Sequence, residues 1–336
     1  MQQNRLGCLT VALFMALALS LFVNFLYFLK GAATGVTMIS ASPIPKFDET
    51  LVQKGTGVNN TKVAVIYLRG LISSAESGSL GESKIDDIKL QLKQAANDAN
   101  VKAVVLYVDS PGGEVTASDM IYEGVKKVRD QAKKPVVVYM GSLAASGGYY
   151  VACGGSHLMA NETTMTGSIG VIMQSLNYQF LLDKVGLSVN TFKSGKFKDM
   201  LSGSRPLSEE ERQYVQGMVM QTYDKFVGIV ARERKQDEQA LRNGVADGRV
   251  LSGKDALASK LIDSLGEPED AYAKAMELAN AKGAHVVRYE TKFGLGKLFK
   301  MLGQQESAKV EVSLPEAMKP KLEAGRLYYL PSFYAY

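Results

Sequence analysis

Three short runs of β-branched and aromatic residues constrain the fold of this chain more than any other feature. They are KVAVIYL at Lys62–Leu68, AVVLYV at Ala103–Val108 and PVVVYM at Pro135–Met140. Runs of this kind suit strands that are buried on both faces of a sheet. The segments between them, Lys84–Asn100 and Thr116–Gln131, have amphipathic helical spacing. Strands that alternate with helices in this way predict an α/β fold, with parallel strands joined by right-handed crossovers.

The carboxyl-terminal half continues the mixed pattern. Ser208 and Glu211 form a capping box at the start of a long helix that we expect to end near Arg234. The further strands predicted are Val171–Met173, Val189–Phe192 and Ala284–Tyr289, and the further helices are Tyr178–Val185, with smaller helical pieces in Val250–Leu265 and Glu267–Ala281.

An uncharged apolar run, Cys8–Leu29, precedes the α/β region. At 1.5 Å per residue it is long enough to cross the roughly 30 Å hydrocarbon core as a helix, and it exceeds the usual apolar core of a cleaved signal peptide. We therefore predict a retained single-pass anchor at the cell membrane, in contact with lipid. Arg5 and Lys30 orient it weakly, with the amino terminus in the cytoplasm and the following domain outside.

Composition excludes several classes of function. The net charge is only +5 and the basic residues are spread along the chain, so we expect no nucleic-acid partner. Two cysteines, Cys8 and Cys153, are too few for a disulfide framework or a zinc site. We predict no metal and no cofactor.

Two glycine-rich segments follow predicted strands, where catalytic groups gather in open α/β folds. In DSPGG, Asp109–Gly113, the paired glycines suit a backbone N–H aimed at an oxyanion, although an ordinary turn is an equally good reading. In GSLAASGG, Gly141–Gly148, the hydroxyl of Ser146 has only small neighbours. Ser146 is therefore either a nucleophile at the start of a helix or a simple helix N-cap.

A serine nucleophile needs a base, and the chain has only two histidines, His157 and His285. Neither has an evident acidic partner in the sequence, so a Ser-His-Asp triad is disfavoured. Lysine is the other candidate, and the segment KSGKFKD, Lys193–Asp199, supplies three. In extended chain Lys196 and Lys198 would share one face, and the residues alone do not choose between them.

Four motifs occur in one order: DSPGG at Asp109–Gly113, SLAASGGY at Ser142–Tyr149, TGSIG at Thr166–Gly170 and SGKFKD at Ser194–Asp199. Together they resemble the signal peptide peptidase A family in its short bacterial form, from about Lys62 to Gly266. The resemblance implies a Clp-protease/crotonase-like domain of repeated strand-strand-helix units, preceded by one transmembrane helix.

The same resemblance implies the roles of the site residues. Ser146 would be the nucleophile and Lys198 the general base. Ser168 would position the lysine amine, and the backbone N–H groups of Gly113 and Gly147 would form the oxyanion hole.

The predicted organisation is a tail at 1–7, an anchor at 8–29, a linker at 30–60, a Clp-like peptidase domain at 61–290 and an extension at 291–336. The function implied is a membrane-anchored serine endopeptidase that degrades remnant signal peptides and other unfolded hydrophobic peptides in a homo-oligomeric ring. The alternatives are a catalytically inactive Clp-like membrane scaffold and, less well supported, an acyl-CoA enzyme of the crotonase type.

The last ten residues, Leu327–Tyr336, are apolar and aromatic and contain Pro331, which argues against a terminal helix. An apolar tail needs a place to dock. Two roles stay open: packing on the domain surface or a subunit interface, or lying extended in the substrate groove as a built-in competitor.

Overall fold

The computed structural model describes residues 14–26, 47–57, 60–75, 83–291 and 327–331. The chain divides into two compact units, Met1–Pro45 and Lys46–Tyr336. In the first unit, residues 14–26 form helix α1, and the remainder of the predicted anchor lies outside the described residues. None of the helices in the described ranges combines the length and the apolar character that a bilayer span requires.

The second unit is built on the three predicted strands, which are β2 (Lys62–Arg69), β3 (Val101–Ser110) and β5 (Val136–Ala145). β2 pairs with β3, and β3 with β5, both in parallel register. Their side chains are buried on both sides, which explains why the runs are almost continuously apolar. The predicted parallel α/β core is confirmed.

Within the described residues these strands belong to a nine-stranded sheet. Its path is β1-β10-β2-β3-β5-β6-β9; β7 branches from this path by pairing with β5, and β8 pairs with β7. The other members are β1 (Phe47–Gln53), β6 (His157–Ala160), β7 (Met165–Gly167), β8 (Val250–Ser252), β9 (Ser264–Leu265) and β10 (His285–Thr291). A separate two-stranded sheet pairs β4 (Gly113–Glu114) with β11 (Tyr328–Tyr329).

Helices cover both faces of the large sheet. They are α2 (Lys84–Asn97), α3 (Val115–Lys126, continued by a π-helical turn at Lys127–Gln131), α4 (Gly147–Ala152), α5 (Gln179–Lys184), α6 (Glu209–Arg234), α7 (Glu238–Asn243), α8 (Gly253–Ala258) and α9 (Pro268–Leu278). The larger core cluster joins the sheet to α2, α3, α4 and α6, and α9 packs on the opposite face. The capping box at Ser208 and Glu211 is present at the start of α6.

Four sequence-based assignments differ from the structure. Val171–Met173, predicted as a strand, forms only an isolated bridge at Ile172. Val189–Phe192, predicted as a strand, has no regular secondary structure, and Phe192 is 98% exposed, so no sheet supports this run. Val250–Leu265, predicted as helical, contains β8 and β9 as well as α8. Phe47–Gln53 falls inside the predicted linker at 30–60, but it forms strand β1. This strand pairs antiparallel with β10 and lies at the edge of the sheet.

Candidate active site

Ser146 stands at the junction between β5 and α4, as expected from its glycine-rich segment. Its backbone has φ 52° and ψ −114°, a conformation that side-chain-bearing residues rarely adopt. Two hydrogen bonds hold it: its N–H donates to the Gly167 carbonyl at 2.8 Å, and its carbonyl accepts from the Tyr150 N–H at 2.8 Å. Strain that is held by its surroundings in this way is typical of functional sites.

The Ser146 hydroxyl is fully buried, and among the described residues it has no hydrogen-bond partner. In particular, it does not accept a capping hydrogen bond from α4. A simple N-cap role therefore does not account for this serine. Leaving a buried hydroxyl unsatisfied costs about 1–3 kcal/mol, so such groups are uncommon and a reactive role is one explanation for this one.

The DSPGG segment lies directly against the start of α4. A Cβ added to Gly112 would stand 2.5 Å from the Gly147 nitrogen, and one added to Gly147 would stand 3.0 Å from the Gly113 nitrogen. No side chain fits at either position. The two predicted oxyanion donors, Gly113 and Gly147, are thus brought together beside Ser146.

Ser168 is also brought to this corner. β5 and β7 are parallel, with Ala145 opposite Gly167. Ser146 and Ser168 directly follow these two residues, so the two serines lie at neighbouring strand ends. Ser168 is 3% exposed, has φ 50°, and donates its N–H to the Arg249 carbonyl at 2.8 Å.

Lys198 is not brought to the same corner in this single chain. It lies in a turn, its N–H donates to the Gly195 carbonyl at 3.1 Å, and its side chain is exposed. Within the ranges that the structure describes, Lys198 forms no ion pair and no side-chain hydrogen bond. The extended conformation assumed for Lys196 and Lys198 is wrong, because residues 194–201 form bends and turns. Lys196 forms an ion pair with Glu210, which leaves Lys198 as the better candidate base.

Next to Lys198, Asp199 anchors an ion network that the sequence did not reveal. The Asp199 carboxylate accepts from Lys193 Nζ at 2.6 Å and from Arg205 Nε at 2.9 Å. Arg205 also donates from Nη1 to the buried Glu211 carboxylate at 2.9 Å. Hydrogen bonds from Arg205 hold the pKa of Asp199 well below its usual value and lower the pKa of Glu211 to about 2. The network ties the Lys198 turn to the start of α6.

Neither histidine approaches Ser146. His157 Nε2 is hydrogen-bonded to Ser264 Oγ at 2.9 Å, and its Nδ1 lies 4.0 Å from the Asp263 carboxylate. The Gly55 N–H donates to His285 Nδ1 at 3.1 Å. His157 therefore does have an acidic neighbour, which the sequence did not show because Asp263 follows it by more than 100 residues.

Residues 327–331 of the carboxyl-terminal tail occupy the groove beside this corner. β11 pairs antiparallel with β4, with Tyr328 opposite Glu114 and Tyr329 opposite Gly113. On its other edge Tyr328 exchanges two backbone hydrogen bonds of 3.0 Å with Ile172. The described part of the tail is thus extended, with strand β4 along one edge and the single bridge to Ile172 along the other, and the rest of Leu327–Tyr336 lies outside the described residues.

The Tyr329 carbonyl oxygen lies close to the two predicted oxyanion donors. A Cβ atom added to Gly112 would stand 2.1 Å from the Tyr329 carbonyl oxygen and 2.5 Å from the Gly147 nitrogen. These two atoms therefore lie on the same side of Gly112 and near each other. The Val115 N–H donates to the Leu327 carbonyl at 3.3 Å. Hydrogen-bonded pairs recur at every second residue of an antiparallel ladder, which makes Tyr329 and Gly113 the next such pair.

The Tyr329 side chain fills a closed aromatic pocket. It is fully buried, and its ring centroid lies 4.9 Å from that of Tyr150 and 4.7 Å from that of Phe226. Tyr328 and Leu330 lie on the opposite side of the strand and pack against Leu71 and Ile172. Across the part of the chain described, no cluster of His, Cys, Asp and Glu has a metal-binding arrangement.

Comparison with known proteins identifies the family of this chain. Residues 128–282 match peptidase family S49, and residues 75–175 match the Clp protease family. A putative signal peptide peptidase SppA of Enterococcus faecium is 36% identical over 76% of this chain and 74% of its own length. A putative protease of Methanocaldococcus jannaschii is 42% identical over 59% of this chain and 63% of its own. Protease 4 of Salmonella typhi is 36% identical over 78% of this chain but only 41% of its own length. The chain therefore belongs to peptidase family S49, the signal peptide peptidase A family of Clp-like serine peptidases.

Proposed function

We propose that the protein is a membrane-anchored serine endopeptidase with Ser146 as its nucleophile and Lys198 as its general base. The observation that carries the proposal is the Ser146 hydroxyl, which is buried, without a partner, and held on a strained backbone. It stands near a bound peptide strand in which Tyr329 pairs with Gly113 and has its carbonyl oxygen close to Gly147. Such a constellation suits acyl transfer.

In the proposed reaction, Ser146 Oγ attacks the carbonyl carbon of the scissile peptide bond while Lys198 Nζ takes the hydroxyl proton. The oxyanion accepts hydrogen bonds from the Gly113 and Gly147 N–H groups, each of which contributes on the order of 3 kcal/mol to the transition state. Lys198 returns the proton to the departing amine. Water then hydrolyses the acyl-enzyme on Ser146 by the same route in reverse.

Lys198 has to reach Ser146 for this chemistry, and we infer that assembly of several copies brings it there. The segment that leads to Lys198 exposes an unusual number of large apolar side chains for a monomer: Leu176, Phe180, Leu181, Val185, Leu187 and Phe192. A homo-oligomeric ring would bury them and surround the lysine with apolar groups. Burial of that kind lowers the pKa of a lysine amine, as a neutral general base requires.

The groove and the relatives support the proposed substrates and location. The groove accepts an extended chain through backbone hydrogen bonds and apolar pockets, as the tail demonstrates. With the SppA relative and the apolar run at Cys8–Leu29, this supports remnant signal peptides and other unfolded hydrophobic peptides as substrates at the membrane. The tail would act as a competitor at high effective concentration.

The test uses the full chain with an internally quenched apolar peptide and a fluorophosphonate label. Ser146→Ala should lose the label, and Ser146→Ala and Lys198→Ala should each lower kcat by about three orders of magnitude or more without loss of folding. Lys196→Ala is the matched control and should stay active. Wild-type protein that neither cleaves peptides nor takes the label at Ser146 would favour the scaffold alternative instead.

A further inference from the structure

Glu114 brings a carboxylate to the edge of the substrate groove. It directly follows the predicted oxyanion donor Gly113 and is 8% exposed. The hydroxyls of Ser73 and Ser74 donate to its two carboxylate oxygens at 2.8 and 2.7 Å. Its position at the N-terminus of α3 also favours negative charge.

The register of the small sheet sets Glu114 opposite Tyr328. Directly opposed residues of antiparallel strands have Cβ atoms about 5 Å apart and project to the same face. Ile172 pairs with Tyr328 on the other edge, so this position of the bound strand lies between a carboxylate and an aliphatic side chain. The side chain of Tyr329, whose carbonyl oxygen lies near the predicted oxyanion donors, projects to the opposite face.

We propose that Glu114 is a specificity-determining residue that selects a cationic side chain in the peptide substrate. The selected residue is the one immediately before the residue whose carbonyl is attacked. This rests on the proposed function, because it takes the docked tail as the pose of a substrate.

The chemistry of the position fits lysine or arginine. Their aliphatic stems can cover Leu71 and Ile172 while the charged end meets the Glu114 carboxylate. An acidic residue at the same place would face a like charge across the strand pair, which is unfavourable. The ligand class is thus an unfolded peptide with a basic residue followed by an aromatic or large apolar residue, which enters the pocket of Tyr150 and Phe226.

A purely structural role for Glu114 makes a different prediction. The hydrogen bonds that it accepts from Ser73 and Ser74 fix the turn that follows Ile72, and that role is indifferent to the charge of the substrate. Glu114→Gln keeps the size and one carbonyl acceptor while it removes the charge. It therefore separates selection by charge from support of the groove.

The experiment measures kcat/KM of the full-length protein on three internally quenched peptides. They carry the sequence of Leu327–Tyr336 with tyrosine, lysine or glutamate at the Tyr328 position. The lysine peptide should exceed the glutamate peptide by about tenfold, which corresponds to a favourable and an unfavourable cross-strand charge pair together. In Glu114→Gln the ratio should fall to within about twofold. The protein's own tail competes equally with all three peptides, so it does not affect the ratio.

A second readout does not require catalysis. In full-length Tyr328→Lys and Tyr328→Glu, amide hydrogen exchange of residues 327–331 reports how firmly the tail is docked. Exchange should be about tenfold slower in the lysine variant, and the difference should disappear when Glu114→Gln is added. Equal exchange in the two variants, or a difference that survives Glu114→Gln, would overturn the assignment. If no peptide is cleaved but the exchange order holds, the proposed activity fails and the assignment of Glu114 stands.

Discussion

Truncation of Tyr329 offers the sharpest test of the tail as a competitor. Tyr329→Ala removes a fully buried ring that contacts Tyr150 and Phe226 in the groove. The change leaves Ser146 and the backbone donors in place. We expect the docked tail to release and peptidase activity at low substrate concentration to rise.

The magnitude follows from burial. Truncating a buried aromatic residue to alanine costs about 3–5 kcal/mol, and about 1.4 kcal/mol is a factor of ten in an equilibrium. The docking equilibrium constant of the tail should therefore fall by about two to three and a half orders of magnitude. The tail stabilises the folded domain by no more than its own docking free energy. Its release therefore lowers the free energy of unfolding by that amount at most, and a weakly docked tail should change the melting temperature only slightly.

The assay compares kcat/KM, the melting temperature and hydrogen exchange of residues 327–331 in wild type and Tyr329→Ala. Leu278→Ala, which truncates a partly exposed residue on α9, is the matched control and should alter none of them. Unchanged activity with a released tail would refute the competitor role. A large fall in the melting temperature would show that the tail is a structural part of the domain.

Three further predictions concern other parts of the site. Phe192→Glu should dissociate the proposed oligomer, seen by sedimentation or light scattering in mild detergent, and should abolish peptidase activity with it; an active monomer would contradict the assembly argument. Gly112→Ala should lower kcat by about 10²-fold or more while the fold persists, because its Cβ would stand 2.5 Å from the Gly147 nitrogen and displace an oxyanion donor; near-normal kcat would exclude this oxyanion geometry. Arg205→Ala should reduce thermal stability at neutral pH. Because Arg205 lowers the pKa of Glu211 from its usual 4.5 to about 2, that difference should shrink as the pH falls through this range, and a difference that stays constant with pH would refute the ionic explanation.

The parallel core was predictable because burial on both faces leaves a clear mark on the sequence. Lys62–Leu68 and its two companion runs are apolar at almost every position, and only strands enclosed by helices require that. The capping box at Ser208 was readable for a similar reason, since both partners of the motif are local in sequence.

The errors have physical causes too. Val189–Phe192 has the composition of a strand, but composition does not reveal whether an apolar residue meets a neighbouring strand or remains on the surface. In the structure it remains on the surface, where we expect another subunit to cover it. The Asp199–Arg205–Glu211 network was missed because ion pairs leave no periodic pattern.

The site itself was only partly predictable. The residues alone allowed Ser146 to be a nucleophile or an N-cap, and they left Lys196 and Lys198 equivalent. The structure shows no cap hydrogen bond from Ser146 and an ion pair between Lys196 and Glu210, and these observations support the proposed roles of Ser146 and Lys198, which stay predictions. The pairing of the tail with Glu114 and Ile172 joins residues that are far apart in sequence, so no local sequence pattern could predict it.

The two-edged pairing of the tail has a consequence for which proteins can be cut. A chain in this groove pairs through its backbone along both of its edges, with Gly113 and Val115 on one side and with Ile172 on the other. A strand inside a folded sheet has already used both edges, and a helix has used its N–H and C=O groups internally. Neither can enter without first being unfolded. Discrimination between native and unfolded proteins would therefore reside in the hydrogen-bonding demand of the groove itself, and it would survive in a single subunit that no longer has a closed chamber around it.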